Sequence, residues 1–340
     1  MIAAACFTLL CAVSSPLSAQ TDPSYFDSVL VAAIEIDGND SFRDDDLLLN
    51  LSTTESPSGF SRWLFRNLGS RFPLAQEPRY FDSQAFRDDI DVLRTFYRNN
   101  GFFSAQVDGS YKRTAGGEAV TVRFEIIEGS YSSIDSISYR RIETLPESVL
   151  AEIRGGTLLR VGRRYRAADV QAERNRVLEI LANTGFPRAR ADSVVVERKL
   201  SNNNVVVKLS FRHGRRLYFG PVTEHIRGVD ELNLARQIIY DRLDFEEGEI
   251  YSRARQFQGE TNLNRLGVFS SVAITPEFPE IENEQDSLAP ISLELIPRKR
   301  FELAPAAILN NQLLDLSLGA ELAFLMRNVF GGAQSLTLRL

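Results

Sequence analysis

The chain has 340 residues, 44% of them hydrophobic and 25% charged, a balance that suits two or three water-facing folded modules with real cores. A formal net charge of −6 and a pI near 5.3 exclude nucleic acid as a partner, because that class demands a basic surface. Both cysteines, Cys6 and Cys11, fall within the first twenty residues, which excludes disulfide and thiolate chemistry from the remainder.

The first element is the apolar run Ile2 to Val13, followed by Ser14, Ser15, Pro16 and then Leu17-Ser18-Ala19. This is the pattern of a signal peptide, residues 1–19, with Gln20 as the first residue of the mature chain. The run is too short to span a bilayer as a helix. No Lys or Arg precedes it, as one normally does in an exported protein, so the natural start is expected a few residues upstream. Lipidation is the alternative; Leu10 is bulky before Cys11, and Cys6 has almost no apolar run ahead of it.

From residue 29 to 300 a repeat governs the pattern. Gly101, Gly185 and Gly267 each close an amphipathic segment, in Asn100-Gly101-Phe102, Thr184-Gly185-Phe186 and Leu266-Gly267-Val268, at intervals of 84 and 82 residues. Tyr80, Tyr165 and Tyr251 open those segments at intervals of 85 and 86. Phe124, Leu209 and Leu293, within alternating stretches, recur at 85 and 84, and Gly129 and Gly214 follow the first two at 85.

Each unit reads physically. Strands are expected at Val31 to Ile36, Ile134 to Tyr139 and Val222 to Ile226, each followed by a short helix such as Pro146 to Ile153. Phe86, Ile90, Leu93 and Tyr97 then fall on one helical face, with Asp88, Asp89 and Asp91 expected on the solvated side. Gly101 and Gly185 are expected as left-handed helix ends. Second strands follow at Phe103 to Tyr111, Arg190 to Arg198 and Ser271 to Phe278. Val120, Val122, Phe124 and Ile126 alternate with Thr121, Arg123 and Glu125 in a third, half-buried strand, repeated by Val205, Val207, Leu209 and Phe211. Glu55 to Pro78 stands outside the period, like an insertion.

This β-α-α-β-β order, its length of about 85 residues and its helix-Gly-Phe-strand junction resemble the polypeptide-transport-associated (POTRA) domain. Beyond Arg300, Leu316, Leu318, Ala320, Leu322 and Phe324 alternate with Ser317, Gly319, Glu321 and Ala323, and Leu336, Leu338 and Leu340 alternate with Ser335, Thr337 and Arg339. One lipid-like face is the mark of membrane strands. The segment between them, Arg327-Asn328-Val329-Phe330-Gly331-Gly332-Ala333-Gln334-Ser335-Leu336, resembles the turn of the BamA/TamA-type assembly barrels, with Val329 and Ala333-Gln334 as departures. A membrane sheet must close, and forty residues are too few, so Leu340 is expected to fall inside a longer barrel. The alternative is a soluble hairpin packed on the third repeat.

Catalytic constellations are not found. His213 and His225 lack a second ligand at metal spacing. Asp37-Gly38-Asn39-Asp40 would need Gly and Glu where Phe42 and Leu48 stand to hold calcium, and reads instead as an Asx-Gly turn. Gly155-Gly156 and Gly331-Gly332 lack the lysine of a phosphate loop. The expectation is a protein that is not an enzyme and needs no metal or cofactor.

The resemblance implies an α+β chain: three tandem POTRA domains at 29–130, 131–216 and 217–300, then the first strands of an antiparallel transmembrane β-barrel at 301–340. It implies an assembly factor of the cell outer membrane with its repeats in the periplasm. Such a factor captures nascent outer-membrane β-barrel proteins by strand addition, at Val107, Gly109, Tyr111, Val194, Val196, Val272 and Ile274, and assists their insertion into outer-membrane lipid. Of Val194→Pro and Val196→Pro, one is expected to impair binding and the other folding. Phe301, Leu303, Ala307 and Leu309 belong to the implied gate strand, Phe301 to Asn310, and Asn328, Phe330, Gly331 and Gly332 to the barrel turn. Three repeats are more similar to the TamA-type factor, with its inner-membrane TamB-type partner, than to the BamA type with its assembly lipoproteins. A POTRA-type secretion pore for one exoprotein, which usually has two repeats and a plug helix, and a non-transport surface antigen are the alternatives.

Overall fold

The computed structural model describes residues 29–228, 234–278, 287–312 and 315–339; the expectations for residues 1–19 and Gln20 lie outside the described residues. The chain divides into two compact units, Met1–Ser132 and Ser133–Leu340.

The first unit runs β1 (Leu30–Asp37), α1 (Asp44–Leu48), α2 (Gly59–Leu68), α3 (Ser83–Asn99), β2 (Gln106–Arg113) and β3 (Ala119–Ile127). Its sheet order is β1-β3-β2, with β1 parallel and β2 antiparallel to the central β3. The central strand must bury one face, and Val120, Val122, Phe124 and Ile126 do so against Phe86, Leu93 and Tyr97 of α3. The Asp82 carboxylate caps α3 by accepting from the Gln84 and Ala85 N–H groups. At the other end Gly101 takes φ 93° and the Phe102 N–H donates to Tyr97 O at 2.9 Å, closing the helix and burying Phe102.

Two sequence expectations are corrected here. Asp89 is on the helix but fully buried: its carboxylate accepts from the Ser52 and Thr53 N–H groups at 2.7 and 2.9 Å, tying the chain after α1 to α3. Tyr80 is half exposed, whereas Phe81 is buried, and the Phe81 N–H donates to Val29 O as Tyr251 N–H does to Leu217 O. Phe81 is therefore the structural counterpart of Tyr251, one residue from the position the aromatic spacing marks.

The second unit repeats the scheme twice. β4 (Ile134–Arg140), α4 (Glu147–Gly155), α5 (Ala167–Asn183), β5 (Arg190–Arg198) and β6 (Val205–Arg212) form a sheet of order β4-β6-β5. β7 (Tyr218–Ile226), α6 (Arg236–Tyr240), α7 (Arg253–Asn264), β8 (Phe269–Pro276) and β9 (Leu288–Pro297) form one of order β7-β9-β8. Glu173 on α5 repeats the Asp89 device, accepting from the Leu158 N–H beyond α4. In the third repeat Gly259 of α7 replaces the acid, and the chain after α6 comes so close that a Cβ there would stand 3.3 Å from Asp244 N.

The second and third repeats share bonds: Leu217 N–H donates to Gly185 O at 2.7 Å and Ala254 N–H to Asn183 Oδ1 at 2.8 Å. Gly185 has φ 100°, and a Cβ on it would lie 2.6 Å from Arg216 Cγ and 3.2 Å from Ile250 Cγ2. Gly185→Val is therefore expected to destabilise this unit by about 1 to 2 kcal/mol, read as a lowered midpoint in thermal denaturation.

Three further strands, β10 (Phe301–Gln312), β11 (Asp315–Arg327) and β12 (Ser335–Arg339), make an antiparallel sheet of order β10-β11-β12. Register puts Phe301, Leu303, Phe324, Met326, Leu336 and Leu338 on one face. The other carries Glu302 paired with Arg327 at 2.6 Å and Glu321 with Arg339 at 3.5 Å.

Candidate strand-binding edges

In each repeat the second strand lies at the rim of its sheet, so one side of its backbone ladder has no sheet partner. Alternation of hydrogen-bonded and non-bonded pairs decides which residues point outward. Thr114 N–H donates to Ala119 O, Lys199 N–H to Asn204 O and Glu277 N–H to Pro290 O. Counting by twos from these bonded pairs along the register, Val107, Gly109 and Tyr111 in β2, Val194 and Val196 in β5, and Val272 and Ile274 in β8 turn their N–H and C=O groups away from the sheet. These are the seven residues singled out in the sequence. Val194 and Val196, being two apart, both face outward, so the expectation that one of them faces inward is corrected; Val195 and Glu197 are the inward residues.

The side chains of these positions serve the fold. Val107, Val272 and Ile274 are buried, and Val194 and Val196 are half-buried. Tyr111 packs its ring 4.7 Å from Phe81 and 5.4 Å from Phe86. Gly109 is required because α3 lies directly on the edge strand: a Cβ there would stand 2.6 Å from Phe86 Cζ and 2.8 Å from Ile90 Cδ1. What these residues offer outside the fold is main chain.

The three edges differ in one respect that the sequence did not signal. Arg94 Nη2 of α3 donates to Val107 O at 2.7 Å, and Gln256 Nε2 of α7 donates to Ile274 O at 2.6 Å. Gln256 is itself fixed by the Tyr251 hydroxyl at 2.6 Å. These carbonyls of β2 and β8 are thus already occupied by a side chain of their own repeat. Among the described residues no such bond reaches Val194 or Val196, and β5 presents an open stretch beyond the bulge at Ala191/Ser193.

Of the remaining sequence candidates, Phe301 and Leu303 are exposed on the apolar face of β10. Ala307 and Leu309 are placed in that strand opposite Ala320 and Leu318. Asn328, Phe330, Gly331 and Gly332 form the connection between β11 and β12, where Asn328 Oδ1 accepts from the Ala333 N–H at 3.1 Å. Ala333, partly buried on the third repeat's core, takes φ 61°, and Phe330 is exposed. His213 sits in a turn, with Nε2 3.0 Å from Thr144 Oγ1 and Nδ1 2.6 Å from Gly214 O. Among the described residues no cluster of His, Cys, Asp and Glu is arranged to hold a metal, and no helix is long and apolar enough to cross a membrane.

Comparison with known proteins gives the following likenesses. A family model, POTRA, described as a surface antigen variable number repeat, matches residues 29–129. Outer membrane protein assembly factor BamA of Neisseria meningitidis serogroup B is 22% identical over 247 residues, covering 72% of this chain and 28% of that protein. A putative outer membrane protein assembly factor of Treponema pallidum is 24% identical over 256 residues, covering 69% and 28%. The chain thus spans little more than a quarter of the length of either. Among solved structures, POTRA3-5 of Haemophilus influenzae BamA is 16% identical with a TM-score of 0.44, covering 79% of this chain and 96% of that one.

Proposed function

We infer that this chain, whose first repeat matches the POTRA family model and which is similar to outer-membrane assembly factors of the BamA/TamA type, works as an outer-membrane protein assembly factor that takes up extended strands of nascent barrel proteins on its repeat edges. The observation that carries this reading is the phase of β5: Val194 and Val196 turn main-chain donors and acceptors outward with no partner from their own repeat. Main-chain pairing gives affinity without requiring one client sequence.

In this reading β10 to β12 begin a transmembrane β-barrel, supported by a sheet with one apolar and one charged face. Phe301, Leu303, Ala307 and Leu309 then form the gate strand at which client strands enter the outer membrane, while the repeats stand in the periplasm. The action is one of binding and guidance rather than catalysis. An inner-membrane TamB-type protein or assembly lipoproteins complete the machinery.

The test is hydrogen exchange by NMR on the chain with and without a peptide copied from a barrel-protein strand. Addition of peptide is expected to slow exchange at the Val194 and Val196 amides and leave Val195 and Glu197, already bonded to β6, unchanged. Slowed exchange confined to helices or loops, with β5 untouched, would overturn strand capture.

A further inference from the structure

We propose that the inserted segment of the first repeat is a membrane-surface contact, which seats Phe60, Trp63, Phe72 and Leu74 at the acyl–headgroup boundary of an anionic phospholipid leaflet and sets Arg62, Arg66 and Arg71 on its phosphates. The second and third repeats pass from their first helix to their long helix without any counterpart of α2, so the β-α-α-β-β scheme does not require it. What α2 and the residues after it present is unlike the rest of the first repeat's surface. Phe60, Trp63, Phe72 and Leu74 are 64%, 56%, 50% and 64% exposed, and only Leu64 of the helix is buried. Phe60 and Trp63, one turn apart, stack with ring centroids 6.2 Å apart.

Charge identifies the occupant. From Ser56 to Gln76 there are three arginines and no acid, in a chain whose net charge is −6. The guanidinium groups of Arg62, Arg66 and Arg71 have no hydrogen bond or ion pair among the described residues. A helix that packs on a protein core turns its aromatics inward, and one that merely meets water does without them. Exposed Trp and Phe beside unpaired arginines is the composition of a helix lying in the headgroup plane. Arg62, Trp63 and Arg66 also line an open cleft of about 1070 Å³, with Glu77 and Glu118 along it as well, so a phosphate is held on its arginine side. The corresponding connection of the third repeat carries Asp241, Asp244, Glu246, Glu247 and Glu249, the opposite charge on the same scaffold.

Trp63 is the only tryptophan of the chain, so its emission reports this site in the intact protein. The full chain is placed in vesicles of phosphatidylcholine alone or with roughly one-third phosphatidylglycerol. In the anionic vesicles Trp63 emission is expected to shift to the blue and to be quenched by brominated acyl chains. The triple variant Arg62→Gln/Arg66→Gln/Arg71→Gln, whose guanidinium groups bond to nothing among the described residues, is expected to lose both signals, with circular dichroism unchanged, and high salt to have the same effect on the unaltered chain. Water-exposed Trp63 emission in both vesicles would overturn the proposal. So would a blue shift that needs a client peptide rather than anionic lipid, which would mark the segment as a protein-binding surface. Loss of the anionic-lipid signal with Arg160→Gln/Arg163→Gln instead of the triple variant would place the contact on the second repeat and overturn the proposal equally. Because the readout is lipid contact at Trp63, it stands or falls separately from strand capture at β5.

Discussion

Glu173→Ala is expected to cost the second repeat roughly 3 to 5 kcal/mol, the range for removing one partner of a buried ion pair. Glu173 is fully buried and accepts four bonds: from the Tyr139 hydroxyl and Arg176 Nη2 at 2.6 Å each, from Leu158 N–H at 2.8 Å and from Arg176 Nε at 3.0 Å. Alanine would leave the Leu158 N–H without its acceptor and the Arg176 guanidinium without its countercharge, bonded only to the Ile153 and Glu152 carbonyls, while the Tyr139 hydroxyl would keep only Thr157 Oγ1. Burial pushes the Glu173 carboxyl upward, but the Arg176 and Tyr139 hydrogen bonds, the Leu158 N–H and the Arg176 charge together hold it below the usual carboxylate value. Burial and the bond to Glu173 likewise push the Tyr139 hydroxyl up to about 12. Because the folded pKa of Glu173 lies below its unfolded value, its contribution is complete above about pH 5 and is lost as the pH falls through the unfolded and then the folded value. Urea denaturation across that window is expected to show a steeper acid loss in the unaltered chain than in Glu173→Gln. Equal slopes, or a cost for Glu173→Ala below about 1 kcal/mol, would mean that the carboxylate is not what ties α5 to the chain after α4.

Val194→Pro is expected to abolish peptide binding at β5 while leaving the repeat folded, and Val195→Pro to disrupt the fold. Proline removes one N–H. At Val194 that N–H faces away from the sheet, so only an incoming strand loses it. At Val195 it belongs to the bonded pair with Lys208, and its loss leaves a sheet carbonyl unpaired at about 1 to 3 kcal/mol, with ring strain in addition. Val194→Thr keeps the main chain and nearly the same shape, and is expected to be almost silent. Peptide titration by NMR with circular dichroism on each variant separates the outcomes. Binding lost with Thr yet kept with a folded Val194→Pro would point to a side-chain pocket in place of an edge.

The repeat was legible because its punctuation is obligatory. Gly101, Gly185 and Gly267 all take positive φ, a conformation that few other residues supply, so their spacing survives where side chains vary. The helical face of Phe86, Leu93 and Tyr97 and the alternation in β3 were legible for the same reason, since burial enforces them. Asp89 was misread because a charge off the apolar stripe is usually solvated; nothing local announces that two backbone N–H groups wait for it 36 and 37 residues upstream. The pairing of Arg94 with Val107 O and of Gln256 with Ile274 O is equally invisible, because acceptor carbonyls carry no sequence signature. The α2 segment could be seen as surplus to the period, but exposure of its aromatics is a property of the packing.

If β5 captures strands as proposed, the bulge at Ala191/Ser193 would limit how long a captured strand stays. It breaks the ladder near the start of β5, so the straight remainder, Ser193 to Arg198, turns only Val194, Val196 and Arg198 outward. Three residues offer at most a handful of main-chain bonds, each worth roughly 1 kcal/mol net, against the several kcal/mol that association costs in lost freedom. Such a grip would be brief: dissociation would be fast, and a strand would rebind or move on many times before it was committed elsewhere. In that reading a short edge would make the second repeat a place of rapid turnover for its clients rather than a store for them.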